Sequence, residues 1–205
     1  MKIKEQYGRL ADDLTINATA DRLRDNGITV YLAADRAEAI KKIGEIIPAG
    51  AEVMNMTSTT LAELGMDKEI EGSGKFQAVR KILEAPGERT KLELKRLGAA
   101  QGWAIGSVHA VSQAGSIFVA SATGSQLPAY AYGADNVLWV VGAQKIVKSF
   151  SEAIDRLYNY CLPLENERAL KVYGVPSGVN KIFILNKEAA PERLNMIIVK
   201  EKLGF

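Results

Sequence analysis

The 205-residue sequence carries 26 basic and 24 acidic side chains, and its formal net charge is +2. This length is typical of one domain, and we expect residues 1–205 to form one, with residues 1–15 as an N-terminal helical extension. The near-neutral balance argues against an extended nucleic-acid surface, because such surfaces cluster Lys and Arg on one face. One Cys and one His exclude an internal disulfide, and they exclude a thiolate zinc site or an iron–sulfur cluster ligated by this chain alone. We therefore expect no metal site in the chain.

One segment differs from the rest in its charge. Leu97–Ala134 contains no Asp, Glu, Lys or Arg, although the chain is 24% charged and about nine such residues would be expected in this window. Glycines and polar residues interrupt its apolar runs well short of the ~20 residues of a membrane span. Met1–Glu5 has no apolar core behind its basic residues, so it is not typical of a signal peptide. We expect a cytoplasmic protein in which this segment is buried.

The first third of the chain predicts alternating helices and strands. A helix over 17–26 ends at Gly27, and a strand over 28–32 follows it. A helix over 35–47 begins with a capping box, and a second strand covers 51–56. Thr60 and Glu63 have the spacing of another capping box. Strands separated by helices of this length predict an α/β fold with a mostly parallel sheet flanked by helices.

The remaining sequence continues this pattern. Residues 74–97 predict two helices separated at Pro86-Gly87. Strands over 103–111 and 116–121 flank Gln113-Ala114-Gly115 as a hairpin, and the apolar run Asn136–Val141 is typical of a central parallel strand. A helix from Ser149 to Tyr160 and a shorter one near 165–173 precede two closing strands, 181–185 and 195–199.

Three loops follow predicted strands, at the edge where parallel α/β sheets bind ligands. The first has four consecutive hydroxyl side chains, of which one suffices as a helix cap, so a cap alone and an anion site both remain open. The second is a Thr-Gly-Ser-Gln run that suits a turn or a ligand contact, and the third carries a lysine that could neutralise a carboxylate or phosphate. The candidate ligand-binding residues of these loops are Thr57, Ser58, Thr59, Thr60, Thr123, Gly124, Ser125, Gln126, Gly142, Gln144 and Lys145.

Few other side chains suggest catalysis. His109 lies among apolar neighbours, so a hydrogen-bonded core histidine and a general base are both open. Cys161 has the setting of a small buried hydrophobic residue rather than a nucleophile. Glu63 lies near a predicted strand end but already has a role in its cap. The candidates for catalysis are His109, Lys145 and Glu63.

Several strings together resemble the LUD-domain family, the lactate-utilisation C-type proteins. They are Thr59–Gly65, Gly106–Val111, Ala122–Tyr130, Val140–Val147, Leu162–Ala169 and Leu203–Phe205, and the likeness covers nearly the whole chain after about residue 12. It adds Gly106 and Ser107 to the candidate ligand-binding residues.

This resemblance implies a fold similar to the NagB/RpiA/CoA-transferase group, whose members bind sugar phosphates, acyl-CoA or folates at the strand ends. It also implies a role in bacterial L-lactate oxidation beside iron–sulfur partner proteins. Many LUD sequences have an acidic residue in the turn that reads Gln113-Ala114-Gly115 here, which puts an acid role there in doubt. The chain has no ferredoxin-like cysteine motif, so any iron–sulfur cluster would belong to a partner.

Two functions follow as hypotheses. The first is a subunit of, or an accessory to, a lactate-oxidising iron–sulfur complex. The second is a stand-alone enzyme or binding protein for a small carboxylate, sugar phosphate or CoA-type anion. In both we expect a small anionic ligand, no nucleic acid and no membrane insertion, and a homo-oligomer is compatible with either.

Overall fold

The computed structural model describes residues 3–205 of the chain. These residues contain ten strands: β1 (Thr29–Ala33), β2 (Glu52–Asn55), β3 (Gln77–Ala78), β4 (Trp103–Gly106), β5 (Ala110–Ser112), β6 (Ile117–Ser121), β7 (Asn136–Gly142), β8 (Ile146–Val147), β9 (Lys181–Leu185) and β10 (Leu194–Val199). Six of them form a parallel sheet in the order β1-β10-β7-β4-β2-β3. The other four form a mixed sheet in the order β8-β5-β6-β9.

Eight α-helices surround these sheets: α1 (Asp13–Asp25), α2 (Arg36–Ile46), α3 (Thr59–Glu63), α4 (Met66–Gly72), α5 (Val79–Glu84), α6 (Lys91–Ala99), α7 (Phe150–Arg156) and α8 (Leu162–Tyr173). Glu5–Gly8 and Ala143–Lys145 are 3₁₀ turns, and Ala129–Gly133 and Leu157–Cys161 are π-helical turns. The predicted α/β class with a helix-flanked parallel sheet is therefore confirmed. No helix in the described range combines the length and apolar character that a bilayer crossing needs.

Strand residues alternate between cores, as the two-residue period of a strand requires. β7 lies inside the parallel sheet, between β10 and β4, and the prediction of a central strand is confirmed. Its residues Leu138 and Val140 face the core shared with α2, α3 and α4. Trp139 and Val141 face a second core that also includes β6 and α1. The opposite face of β6, with Phe118, packs in a third core against α7. The strands of the charge-free segment are buried because both of their faces are covered, whereas its connections include exposed residues such as Tyr132.

The single strand predicted over 103–111 is wrong. β4 ends at Gly106 in the parallel sheet, and the chain then passes through Ser107–His109 into β5 of the mixed sheet. The predicted hairpin is confirmed, because β5 and β6 pair antiparallel with Val111 opposite Ile117. Gly115 in its turn has φ of 84°, in the left-handed region that favours glycine.

The ends of several helices also differ from prediction. α1 begins at Asp13, capped by the side chain of Asp12, four residues before the predicted start. In the predicted extension, Met1 and Lys2 lie outside the described residues, and only Glu5–Gly8 forms a 3₁₀ turn before α1. The chain stays helical from Phe150 to Tyr173, where two helices were predicted, because a π-helical turn precedes Pro163.

Candidate functional site

A cavity of about 680 Å³ lies beyond the carboxyl ends of β2, β4 and β7. The residues after these strands line it, as do the loop after β6 and one side of α8. All three predicted loops therefore meet at one site. This is the edge of a parallel α/β sheet at which ligands generally bind.

Two short crossings between the sheets build the inner end of the cavity. β4 continues through Ser107–His109 into β5, and β7 continues through Ala143–Lys145 into β8. β4 pairs with β7 in one sheet and β5 pairs with β8 in the other, so the two crossings run side by side. They place Ser107, His109 and Lys145 against the cavity, and with Thr60 these residues form what we call the cavity floor.

Lys145 is the central residue of the cavity floor and is only 2% exposed. Its Nζ donates hydrogen bonds to Thr60 Oγ1 at 2.9 Å and to Ser107 Oγ at 3.0 Å. It forms no ion pair within 4.0 Å in the described range of the chain. The pKa of Lys145 is lowered to about 7, chiefly by burial and also by the positive charge of Arg156. At neutral pH the ammonium and the free amine are therefore both populated.

Arg156 of α7 supplies a second buried cation behind the cavity wall. Its side chain is fully buried, and its Nη1 donates to the His109 carbonyl oxygen and to Cys161 Sγ. It lies over the ring of Tyr160, and its Nε has no hydrogen-bond partner within residues 3–205. Burial raises the pKa of the Cys161 thiol, so the residue suits the buried role predicted for it and does not neutralise Arg156.

His109 is a neutral hydrogen-bond donor toward the cavity. Its Nδ1 accepts a hydrogen bond from the Ala120 N–H at 3.1 Å, which places the ring proton on Nε2. The pKa of His109 is lowered to about 3, chiefly by burial and also by the positive charges of Lys145 and Arg156. The environment therefore opposes protonation, which makes a donor role more suitable than the general-base role that the sequence left open.

The hydroxyl loop after β2 divides its side chains between structure and cavity. Ser58, not Thr60, caps α3 by accepting from the Leu61 N–H, so the predicted capping box of Thr60 and Glu63 is wrong. Thr60 instead contacts Lys145, and Glu63 accepts a hydrogen bond from the Gly204 N–H at 2.9 Å. All four hydroxyl residues, Thr57–Thr60, line the cavity. The hydroxyl residues beyond the one that the helix cap requires therefore line the cavity.

The loop after β6 forms the opposite side wall. Thr123, Ser125 and Gln126 line the cavity, together with Ser121. The loop is held by internal bonds, because Ser121 Oγ accepts from the Gly124 N–H and donates to Gln126 Oε1. Gly124 itself has φ of 86° and serves the turn.

A model of the LUD-domain family matches residues 16–199. The chain belongs to the LUD-domain family. The crystal structure of a DUF162 family protein from Deinococcus radiodurans is similar, with a TM-score of 0.58, 14% sequence identity, and coverage of 93% of this chain and 99% of that chain. At that identity the likeness shows a shared fold and nothing more. No curated protein matches the chain.

Some predicted site residues of this LUD domain lie outside the cavity lining. A Cβ on Gly106 would collide with the Tyr130 hydroxyl, and one on Gly142 would meet the Leu203 nitrogen at 2.7 Å, so both glycines allow close packing. Gln144 donates to the Leu203 and Gly204 carbonyl oxygens and fixes the C-terminal segment. Glu63 binds the same segment. These four residues, with Gly124, support the site without facing it.

The sequence did not single out the outer wall of the LUD-domain cavity. Glu165, Arg168 and Tyr173 of α8, which we call the cavity rim, line it together with Tyr130, Asp67 and the segment 175–179. Arg168 pairs with Glu165 at 2.7 Å and lies over the Tyr173 ring. The string Leu162–Ala169, which contains Glu165 and Arg168, carried part of the family likeness, and this was the one sequence signal that pointed to the cavity rim. Among residues 3–205, no three His, Cys, Asp or Glu side chains group as metal ligands.

Proposed function

We propose that this LUD-domain protein binds a small organic anion in its cavity, as part of lactate utilisation. The observation that carries the proposal is the pair of buried cations, Lys145 and Arg156, which have no carboxylate partner in the described range and lie at the cavity floor and just behind it. A buried cation without a counter-charge is costly. An anion entering the cavity would supply that charge.

The chemistry around these cations suits a carboxylate. The Nε2–H of His109 and the hydroxyls of Thr57–Thr59 border the same space, and N–H and O–H donors bind carboxylate oxygens. Family membership supports a 2-hydroxy acid such as lactate, or the 2-oxo acid formed when it is oxidised. Sugar phosphates and CoA-type anions share this recognition chemistry and form the comparison set.

A thermal-shift screen tests this proposal. Lactate, pyruvate, a sugar phosphate and acetyl-CoA are each added to the full chain, and a ligand at 100 times its Kd stabilises the fold by about 2.7 kcal/mol. We expect stabilisation by a carboxylate, and its loss in Lys145→Met. Lys41→Met is the matched control, because the Lys41 side chain is 77% exposed on α2. An equal response in Lys145→Met, or no response to any of the anions, would overturn the proposal.

A second candidate function follows from family membership rather than from the cavity. We propose that the protein works with an iron–sulfur partner that carries the electrons of lactate oxidation, since one Cys cannot ligate a cysteine-bound cluster in this chain. Native co-purification from lactate-grown cells tests it. An iron–sulfur protein should be recovered in stoichiometric amount, and its consistent absence would reject this function while leaving the anion site untouched.

A further inference from the structure

The hydrogen bonds around Lys145 restrict what its nitrogen presents to the cavity. Nζ contacts two hydroxyl oxygens, those of Thr60 and Ser107. Each hydroxyl has one proton, and each proton is already directed to a backbone carbonyl oxygen: Thr60 Oγ1 donates to Leu203 O at 3.3 Å and Ser107 Oγ donates to Val140 O at 2.6 Å. Both hydroxyls therefore accept from Nζ, and neither donates to it.

A neutral amine satisfies this arrangement completely. It has two N–H bonds and one lone pair, whereas an ammonium has three N–H bonds. The two hydroxyls take both N–H bonds of the amine. The third position on Nζ has no hydrogen-bond partner within residues 3–205, and Lys145 lines the cavity. In the amine that position holds the lone pair. The nearby charge of Arg156 and the lack of an ion-pair partner within residues 3–205 both favour this form.

We propose that Lys145 is a nucleophile that forms an imine with a 2-oxo acid bound in the cavity. The inference rests on the proposed function, since it requires the carboxylate of that acid to occupy the same site. A buried lysine whose amine is free at neutral pH is the usual nucleophile of imine-forming enzymes.

The reaction needs no further reactant. The Nζ lone pair forms a bond to the carbonyl carbon, the C=O π electrons move to oxygen, and a proton from nitrogen passes to that oxygen to give a carbinolamine. Its C–O bond then breaks as the second nitrogen proton joins the leaving oxygen. The products are the imine and one water molecule. The Nε2–H of His109, which borders the same cavity, is available to donate a hydrogen bond to the oxygen as its charge develops.

Reductive trapping with pyruvate tests the proposal. The full chain is incubated with pyruvate and sodium cyanoborohydride at pH 7, and peptide mass spectrometry locates any carboxyethyl group. We expect Lys145 to be labelled at least about a hundredfold faster than any surface lysine, because a surface lysine with an ordinary pKa has far less free amine. Lys41→Met should label as the unchanged chain does, and lactate, which has no carbonyl group, should give no adduct.

Two results would overturn the proposal that Lys145 forms an imine. One is labelling of Lys145 no faster than of surface lysines. The other is an unlabelled Lys145 in a protein that pyruvate stabilises in the thermal-shift assay, which would leave anion binding intact and reject the covalent step alone. If pyruvate neither labels nor stabilises the unchanged chain, and no other anion stabilises it, the proposed function fails together with the imine.

Discussion

The cavity has a cationic side chain at each end, and the two are held in opposite ways. At the cavity floor, Lys145 is 2% exposed and bonds only to neutral hydroxyls. At the cavity rim, Arg168 is 28% exposed and makes two hydrogen bonds to Glu165, and this pairing raises the pKa of Arg168. The rim cation is neutralised within its own helix, whereas Lys145 has no carboxylate paired with it in the described part of the chain and can either release its proton or keep it and pair with a ligand anion. At the floor, keeping the ammonium of Lys145 lowers the stability of the fold but provides the charge that binds an anion. At the rim, the Arg168–Glu165 pair contributes to stability without depending on a ligand.

The largest effect that separates the two ends is expected for Lys145→Met. It removes a buried charge and leaves Thr60 and Ser107 bonded to their carbonyls, so unfolding free energy at pH 7 should rise by about 3 kcal/mol. The pKa of Lys145 falls from 10.5 to about 7 on folding. The unfolded state thus binds the proton more tightly, and the stability of the unchanged chain should rise with pH between about 7 and 10.5.

Urea denaturation at pH 7 and pH 10 measures this effect. The gain in Lys145→Met should be large at pH 7 and much smaller at pH 10. A gain that does not change with pH would mean that Lys145 is not penalised by burial of its charge.

Acid should lower the unfolding free energy of the protein through protonation of His109. Its pKa falls from 6.5 to about 3 on folding, so stability is full above 6.5 and declines as pH falls toward 3. At pH 5 the loss should be about 2 kcal/mol. In His109→Asn, whose side-chain oxygen is placed to accept the Ala120 N–H, the unfolding free energy should depend less on pH over this range. Denaturation curves at pH 7 and 5 check this, and equal pH dependence in both proteins would contradict it.

A smaller difference in stability is expected between alanine substitutions of a glycine near the cavity floor and of one near the cavity rim. Gly106→Ala should destabilise by about 1.5 kcal/mol, because its Cβ would overpack against the buried Tyr130. Gly178→Ala near the rim is the control, since its nearest neighbour is the movable side chain of Asn180 at 2.7 Å. Chemical denaturation of both variants measures the difference. Similar losses would show that the floor is no more tightly packed than the rim.

The smallest effect is expected for Arg168→Met. Partly exposed ion pairs within one helix contribute about 0.3–0.5 kcal/mol, so unfolding free energy should fall by no more than about 1 kcal/mol. Carboxylate binding in the thermal-shift assay should change less than in Lys145→Met. A loss of binding as large as that of Lys145→Met would mean that the negative charge of the ligand lies at the rim rather than at the floor.

The parts of the fold that sequence could predict depend on local patterns. The alternation of capped helices and apolar strands predicted the parallel sheet, and Asn136–Val141 was placed at its centre because its residues 137–141 are all apolar. The convergence of the three loops then followed from a general property of parallel sheets. Lys145 was found in this way, from its position after β7.

The remaining features depend on contacts distant in sequence. The passage from β4 to β5 occurs within an uncharged stretch, and neither Gly106 nor the polar residues Ser107 and His109 distinguish a move between sheets from a continuing strand. Glu63 has the spacing of a cap, yet its carboxylate binds Gly204, 141 residues later. Arg168 and Glu165 look like an ordinary surface pair on a helix, and only the position of α8 places them at the cavity.

The two crossings between the sheets have a consequence for how the chain tolerates changes in length. Each is three residues long, and each is fixed at both ends by strands that pair with the strands of the other crossing. An inserted residue would shift one strand register or rotate a side chain away from the cavity floor. By contrast, the exposed connection between α5 and α6, residues 85–90, has no such constraint and should accept insertions. Length variation compatible with this site should therefore collect in that connection, and the two crossings should keep a constant number of residues.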